Sequence, residues 1–359
     1  MILPPGAAGP GADVAALRAH GDRMVPPGTL DFAVNVRADG PPAWLREELT
    51  QALGVAGRYP DEREAVAALA ARHGRAPEEV VPTNGASEAF WALATALQPR
   101  RAVCVQPAFG EPEAALRALG RPVERVARRP HDLAVDPEAI PPDADLVTLD
   151  NPNNPSGVLA PASCIARLCR PGRVVVVDEA FMDVVPDEPE SVAGRRDLPG
   201  LVVVRSLTKT WSLAGVRAGY LLAPPGIAAA LRDVRPPWTV NSLALAALRA
   251  CAGRAAEARA AALEVAAART SLQRALARLP GVRTWPSAAS FVLVEVPDGP
   301  RVHRRLLERG IAVRPAWTFP FLGPDHLRIA VRDPAANGRL LDALAGVLER
   351  ASPAPGGHP

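Results

Sequence analysis

The sequence predicts an α/β fold in two parts, a large doubly wound domain with a mostly parallel sheet and a smaller α+β domain. Three observations predict it. Short runs of Val and Leu without polar alternation, as in Arg173 to Val177 and Leu201 to Arg205, suit parallel strands covered on both faces. Such runs alternate with helical stretches through about residue 235. The segment Arg235-Pro236-Pro237-Trp238-Thr239-Val240-Asn241 then breaks the alternation, and a long Ala- and Arg-rich helical region follows. The chain is thus divided into an N-terminal segment (1–40) joining the small domain, a large α/β domain (41–235) and a small α+β domain (236–359).

A chain of 359 residues can bury one large core and a smaller companion. Its hydrophobic share of 48% with 22% charged is ordinary for a soluble globular protein. The formal net charge is only +3 and the arginines are scattered, so no nucleic-acid partner is expected. The pair Arg128-Arg129 and the group Arg301, Arg304 and Arg305 read as solvated loop and helix faces. The four cysteines form no CxxC pair and have no histidine at zinc spacing, so no metal is expected and the thiols are read as free, in a reducing cytoplasm. There is no signal-peptide pattern and no apolar run of about eighteen residues, so neither secretion nor membrane insertion is expected.

In chain order, Leu30 to Val36 is a short apolar segment carrying Asn35, and a proline pair then introduces a helix from Trp44 to about Leu53. Arg58-Tyr59-Pro60-Asp61 precedes an alanine-rich helix through Arg72. Val80 to Asn84 reads as a strand, and Gly85-Ala86-Ser87-Glu88 opens a helix to Leu97. A glycine turn entering a helix presents free N–H groups and a positive dipole end, a site for phosphate; a simple Ser87 N-cap is the plain alternative. The strand Ala102 to Gln106 ends in Pro107-Ala108-Phe109-Gly110, where Phe109 is either core or a plate for a flat ligand. The strand Leu146 to Leu149 runs into the rigid turn Asp150 to Gly157, and the strand Arg173 to Val177 ends at Asp178. An aspartate there is poorly solvated and calls for a cationic partner, with a helix cap as the alternative. The small domain is predicted as strands at Phe291 to Val296 and Leu327 to Val331, an apolar segment Ile311 to Val313, and helices near Val302 to Arg309 and Ala335 to Leu348.

The strand Leu201 to Arg205 leads to the residue with the strongest chemical signal. Lys209 is the only lysine; the rest of the 41 basic residues are arginines. Arginine serves solubility and salt bridges equally well, but only lysine readily loses its proton to attack a carbonyl. Chance survival is the alternative. Lys209 lies just past the carboxyl end of a buried strand, where open α/β sheets gather their functional groups. Arg217 follows, with Gly215 and Gly219 allowing close backbone approach. A lysine nucleophile, an acid at a strand end, a phosphate cradle, an aromatic plate and an asparagine turn together describe a site for pyridoxal phosphate.

The chain also resembles the fold-type I pyridoxal-phosphate enzymes of the class I/II aminotransferase group, from about Asp31 to Leu348. The carriers are TNGASEA (Thr83 to Ala89), PAFGE (Pro107 to Glu111), NPNNPSG (Asn151 to Gly157), VVDEAF (Val176 to Phe181), SLTKTWSLAGVRAGY (Ser206 to Tyr220) and HLRIAV (His326 to Val331). The resemblance implies the type I transferase fold of these enzymes. It implies Lys209 as the Schiff-base lysine, Asp178 beside the ring nitrogen, Asn154 on the ring 3-oxygen and Phe109 stacked on the ring. The phosphate would be held by Ala86, Ser87, Ser206, Thr208 and Arg217, and Tyr59 would reach it from a second subunit, making a homodimer. Arg328 would bind the substrate carboxylate. Two branches are most similar, histidinol-phosphate aminotransferases and the threonine-phosphate decarboxylases of cobalamin biosynthesis. LDFAVNV, VVRSLTKTW, PPWTVN and DEAF resemble the second more, so L-threonine O-3-phosphate decarboxylation is the expectation. The alternatives are amino transfer from histidinol phosphate to 2-oxoglutarate and a non-catalytic cofactor-binding protein. The resemblance further implies His20, Asn35 and Arg314 toward the substrate phosphate, a surface arginine being the plain alternative for Arg314. Asn35 follows His20 within fifteen residues, so the helix usual between them is expected to be shortened.

Overall fold

Two sheets organise the protein, which the computed structural model describes at residue 17 and over residues 21–36 and 40–349. The short strand β1 (Leu30–Phe32) belongs to the smaller sheet. The larger one holds β2 (Val80–Asn84), β3 (Ala102–Gln106), β4 (Val123–Ala127), β5 (Leu146–Asp150), β6 (Val174–Asp178), β7 (Leu201–Ser206) and β8 (Ala218–Leu222). Their order is β2-β8-β7-β6-β5-β3-β4. Pairing is parallel from β4 through β7, and β8 runs antiparallel to both β7 and β2. Because alternate side chains face opposite sides of a strand, each strand feeds two cores. Val103, Val147, Val175 and Val203 enter one, while Cys104, Leu146, Val176 and Val204 enter the other. That is why these strands read as unbroken apolar runs.

Helices cover both faces. They are α1 (Ala43–Gly54), α2 (Arg63–His73), α3 (Ala86–Leu97), α4 (Glu111–Ala118), α5 (Ala162–Leu168), α6 (Pro225–Val234) and α7 (Ser242–Ala252). Then come the 22-residue α8 (Ala255–Leu276), β9 (Arg283–Thr284), β10 (Phe291–Glu295), α9 (Gly299–Leu307), β11 (Ile311–Pro315), β12 (His326–Ala330) and α10 (Pro334–Glu349). The smaller sheet has the order β1-β11-β12-β10-β9, with β1 parallel to β11. Leu272 and Leu276 of α8 pack with Leu340 and Leu344 of α10 on the apolar side chains of β10 to β12.

Several sequence expectations are corrected. The edge strand β4 was not anticipated; it is partly exposed and reads Val-Glu-Arg-Val-Ala, without the apolar run of an interior strand. Arg128, just past it, is not solvated but 2% exposed. Helix α3 is capped by Gly85 with φ +88°, so Ser87 lies inside the first turn and is not the N-cap. Gly215 has open space around it, whereas Gly219 makes the close approach: a Cβ there would lie 2.6 Å from the Ala86 nitrogen. Cys104 and Cys251 are buried free thiols and Cys164 and Cys169 half-buried ones. Among the described residues no helix is long and apolar enough to cross a membrane.

Candidate active site

The carboxyl ends of β5, β6 and β7 are Asp150, Asp178 and Ser206, and all three line one cavity of about 560 Å³. The cavity lies between the two sheets, since Arg314 of β11 and Arg328 of β12 line its other side. It brings together Asn35, Ala86, Ser87 and Phe109 with Asn154, Asp178 and Ser206. Thr208, Lys209 and Arg217 complete the set expected from the sequence. Of the expected residues, one stands apart and one is not described. Tyr59 is 77% exposed and stacks on Trp238 at 4.4 Å in a separate surface groove, and His20 lies outside the described residues.

Lys209 is carried by the turn that leaves β7. Ser206 Oγ accepts from the Thr208 N–H at 3.3 Å, and the buried Trp211, edge-on to Trp44, anchors the far side of the turn. The lysine Nζ lies 5.3 Å from the centre of the Phe181 ring. Asp178 is buried at the end of β6, with Oδ1 accepting from the Ala180 N–H at 2.9 Å. Burial, and then the Asp150 carboxylate on the neighbouring strand, push its pKa up to about 7, while Lys209 pulls the other way. An isolated carboxylate in such a place gains from a cation set against it.

At the start of α3 the first N–H groups have no intrahelical acceptor and the helix dipole is positive. The Arg217 guanidinium closes over this turn, and Gly85 is what admits it: a Cβ there would sit 2.5 Å from Arg217 Nη2. Gly219, tight against Ala86, holds β8 close on the other side. With the hydroxyls of Ser87, Ser206 and Thr208 alongside, this is a donor-rich cradle suited to a phosphate dianion. Phe109 has neighbours on two sides. It packs edge-on to Phe90 at 6.3 Å and also lines the cavity.

On the opposite wall Arg328 is buried among neutral oxygens. It donates to Asn154 Oδ1 at 2.5 Å and to the Ala33 carbonyl at 2.8 Å, and Asn35, with its carboxamide oxygen inward, accepts from Nη1 at 3.0 Å. Arg314, register-paired with Arg328, is also buried, at 3% exposure, and not a surface arginine. It donates to Thr318 Oγ1 at 2.9 Å. Burial, and then the nearby Arg314 charge, push Arg328 down to about 9. Two buried guanidiniums that repel one another form a receptor for anions.

The sequence reading missed Asp150 and Arg128. Asp150 Oδ2 accepts from the backbone N–H of Asn154 at 2.9 Å and of Phe109 at 3.3 Å, and Arg128 Nη2 reaches its Oδ1 at 3.3 Å. The available signal was Asp150 itself, a second carboxylate at the end of a buried strand, which calls for a buried cation as Asp178 does.

A sequence profile of the aminotransferase class I and II family matches residues 27–344. The chain belongs to that family. It is therefore a pyridoxal-phosphate-dependent enzyme of the type I fold, and the phosphate cradle, the lysine and the buried strand-end carboxylate fit that cofactor. A histidinol-phosphate aminotransferase of Mycobacterium tuberculosis is 46% identical over 324 residues, 89% of this chain and 88% of that protein. The threonine-phosphate decarboxylase of Salmonella typhimurium is 33% identical over 337 residues, 90% of this chain and 93% of that protein. The crystal structure of the histidinol-phosphate aminotransferase from Clostridium acetobutylicum superposes with a TM-score of 0.84 at 25% identity, covering 89% of this chain and 99% of that one. These similar proteins differ in the reaction their names record.

Proposed function

We propose that this aminotransferase-family enzyme acts on an amino acid carrying a distal phosphate, and that decarboxylation of L-threonine O-3-phosphate, in cobalamin biosynthesis, is the reading its anion sites support best. The observation that carries it is the pair Arg314 and Arg328, register-matched on adjacent strands, both buried and both facing the cavity of Lys209. A substrate with one carboxylate and one phosphate on a short carbon chain places an anion at each guanidinium. Histidinol phosphate carries one anionic group and so engages one of them. The second reading is amino transfer from histidinol phosphate to 2-oxoglutarate; the 46% identity to the mycobacterial histidinol-phosphate aminotransferase favours it, and the two carboxylates of 2-oxoglutarate would also occupy both arginines.

Bound pyridoxal phosphate supplies an aldehyde for the substrate amine and an electron sink for the bond broken at the α-carbon. In our reading Lys209 is the attachment point, and the turn at Gly85 to Ser87, with Ser206, Thr208 and Arg217, holds the phosphate. Asp178, as a carboxylate, keeps the ring nitrogen protonated, and Phe109 and Asn154 fix the ring plane and its 3-oxygen. Phe181 has no hydroxyl to share that last task. Arg328 grips the substrate carboxylate by its fork, Arg314 with Thr318 takes the phosphate, and Asn35 braces Arg328. Lys209 Nζ then delivers a proton to the carbon that carbon dioxide has left. A homodimer belongs to the same reading: the exposed Tyr59 would complete a neighbouring subunit's cradle.

The test offers the cofactor-loaded protein L-threonine O-3-phosphate and, separately, histidinol phosphate with 2-oxoglutarate, and measures carbon dioxide and glutamate. Carbon dioxide without glutamate is the expected result. Glutamate without carbon dioxide refutes the first reading in favour of the second.

A further inference from the structure

We propose that Arg128 and Asp150 form a buried positioning pair, in which the Asp150 carboxylate holds Phe109 and Asn154 in place around the cofactor ring and Arg128 holds Asp150. Asp150 contacts two segments of the site. Its Oδ2 accepts from the Phe109 and Asn154 backbone N–H groups, at 3.3 and 2.9 Å. Its Oδ1 accepts from Asn153 Nδ2 at 2.8 Å, and the same amide nitrogen donates to the Pro107 carbonyl at 2.8 Å. One carboxylate therefore ties the loop after β3 to the turn after β5, the two segments that carry the ring plate and the ring-oxygen donor.

Arg128 reaches this carboxylate from the far side of the sheet. It follows the edge strand β4, its N–H donates to the Gln106 carbonyl at 2.7 Å, and its side chain passes the end of β3 to β5. There Nη2 donates to the Asp150 carbonyl at 3.0 Å and to Oδ1 at 3.3 Å, and Nη1 to the Leu133 carbonyl at 3.4 Å. Both side chains are sealed from solvent, at 0% and 5% side-chain exposure. A carboxylate so buried is retained as an anion only if a cation comes with it.

The pair also sets the charge beside Asp178. Asp150 and Asp178 are register partners on β5 and β6. Asp178 is faced by Asp150 from one side and by Lys209 from the turn after β7, with Glu179 and the Ala180 N–H on its own segment. Asp150 is faced by Arg128 together with the neutral donors of Phe109, Asn153 and Asn154. Removing the Asp150 charge alone leaves a buried guanidinium near the ring and disfavours protonation there. Removing both charges cancels most of that effect.

The inference rests on the cofactor ring lying between Phe109 and Asp178, and it holds whichever bond the enzyme breaks. It is tested on the holoenzyme with Asp150→Asn, Arg128→Met, the double variant and Arg128→Lys, measuring cofactor dissociation constant, the pH midpoint of the bound cofactor's visible absorbance, and melting temperature. Asp150→Asn is expected to weaken cofactor binding about tenfold and to lower the midpoint by about one pH unit. The double variant should bind no worse than Asp150→Asn and return the midpoint toward wild type, because residues acting as one unit are not additive. Arg128→Lys, which keeps the charge, should stay closer to wild type than Arg128→Met. Lower melting temperatures with an unchanged midpoint and dissociation constant would make the pair purely structural and overturn the proposal. Should Asp150→Asn not fold, Arg128→Lys and the double variant read the same quantities. Asp178→Asn is the control: if it moves the midpoint while the pair variants do not, only this proposal fails, and if it too leaves the midpoint unmoved, the ring placement fails with it.

Discussion

The two walls of the cavity are built by different rules. On the proposed cofactor side Lys209, Asp178, Asn154, Ser87 and Ser206 each sit at, or a few residues past, the carboxyl end of a strand of one sheet, or in the helix turn that follows it. On the opposite side, the proposed substrate wall, Arg314 and Arg328 sit within two antiparallel strands and meet because residue 314 is in register with residue 328. The first wall is local: finding the strand finds the residue. The second exists only once the pairing of β11 and β12 is known. Burial disfavours the charged form on both, raising the Asp178 carboxyl and lowering the Arg328 guanidinium, so each of these groups gains from a charge of opposite sign.

The largest test of this contrast is Lys209→Ala, which should lower turnover by at least about 10³-fold. It should also abolish the visible absorbance of lysine-linked cofactor; a variant that keeps that absorbance places the attachment elsewhere. Arg328→Met should leave the absorbance intact and lower kcat/KM by about 10²-fold, the loss expected when a buried charge partner of an anion is removed. If instead it releases the cofactor, the two walls are not separable. Gly85→Ala is expected to weaken cofactor binding about tenfold, because a Cβ would sit 2.5 Å from Arg217 Nη2 and the φ of +88° strains any side chain. Equilibrium titration of the apo-protein with pyridoxal phosphate reads this directly.

A smaller effect separates the walls by pH. The folded pKa of Asp178 is raised from 3.8 to about 7, so the folded apo-protein holds a proton that the unfolded chain has released across that interval. Its contribution to stability is full below pH 3.8 and is lost as pH rises through about 7. Apo-protein melting temperature should carry this downward slope and Asp178→Asn should flatten it, whereas Arg328→Met should not. The smallest change expected is Gly215→Ala, within about 0.5 kcal/mol of wild type by denaturant unfolding, since a Cβ there meets no atom within 4 Å.

Much of this was legible in the chain. The alternation of apolar runs and helices identified β3, β5, β6 and β7 to within a residue or two at their ends, because both faces of those strands are buried, whereas the interior antiparallel β8 was not read as a strand. β4 was missed for the converse reason, being a partly exposed edge with a charged pair in its middle and neither an apolar run nor a regular alternation. Arg128 was misread because a sequence shows an arginine pair but not what lies against it, and the surface alternative for Arg314 stayed open because a strand position does not disclose which face a neighbouring sheet covers.

The sequence by itself determined the chemistry. One lysine among arginines, a glycine turn before a helix and an aspartate closing a buried strand are features of composition and local order, and local order survives without knowledge of the fold. Only the tertiary structure decided what surrounds that chemistry: which arginines are buried, that residue 314 meets residue 328, and that Asp150, with Arg128 behind it, joins two loops around the site. These depend on register and on desolvation, properties of pairs of segments far apart in the chain, which no single stretch of residues encodes.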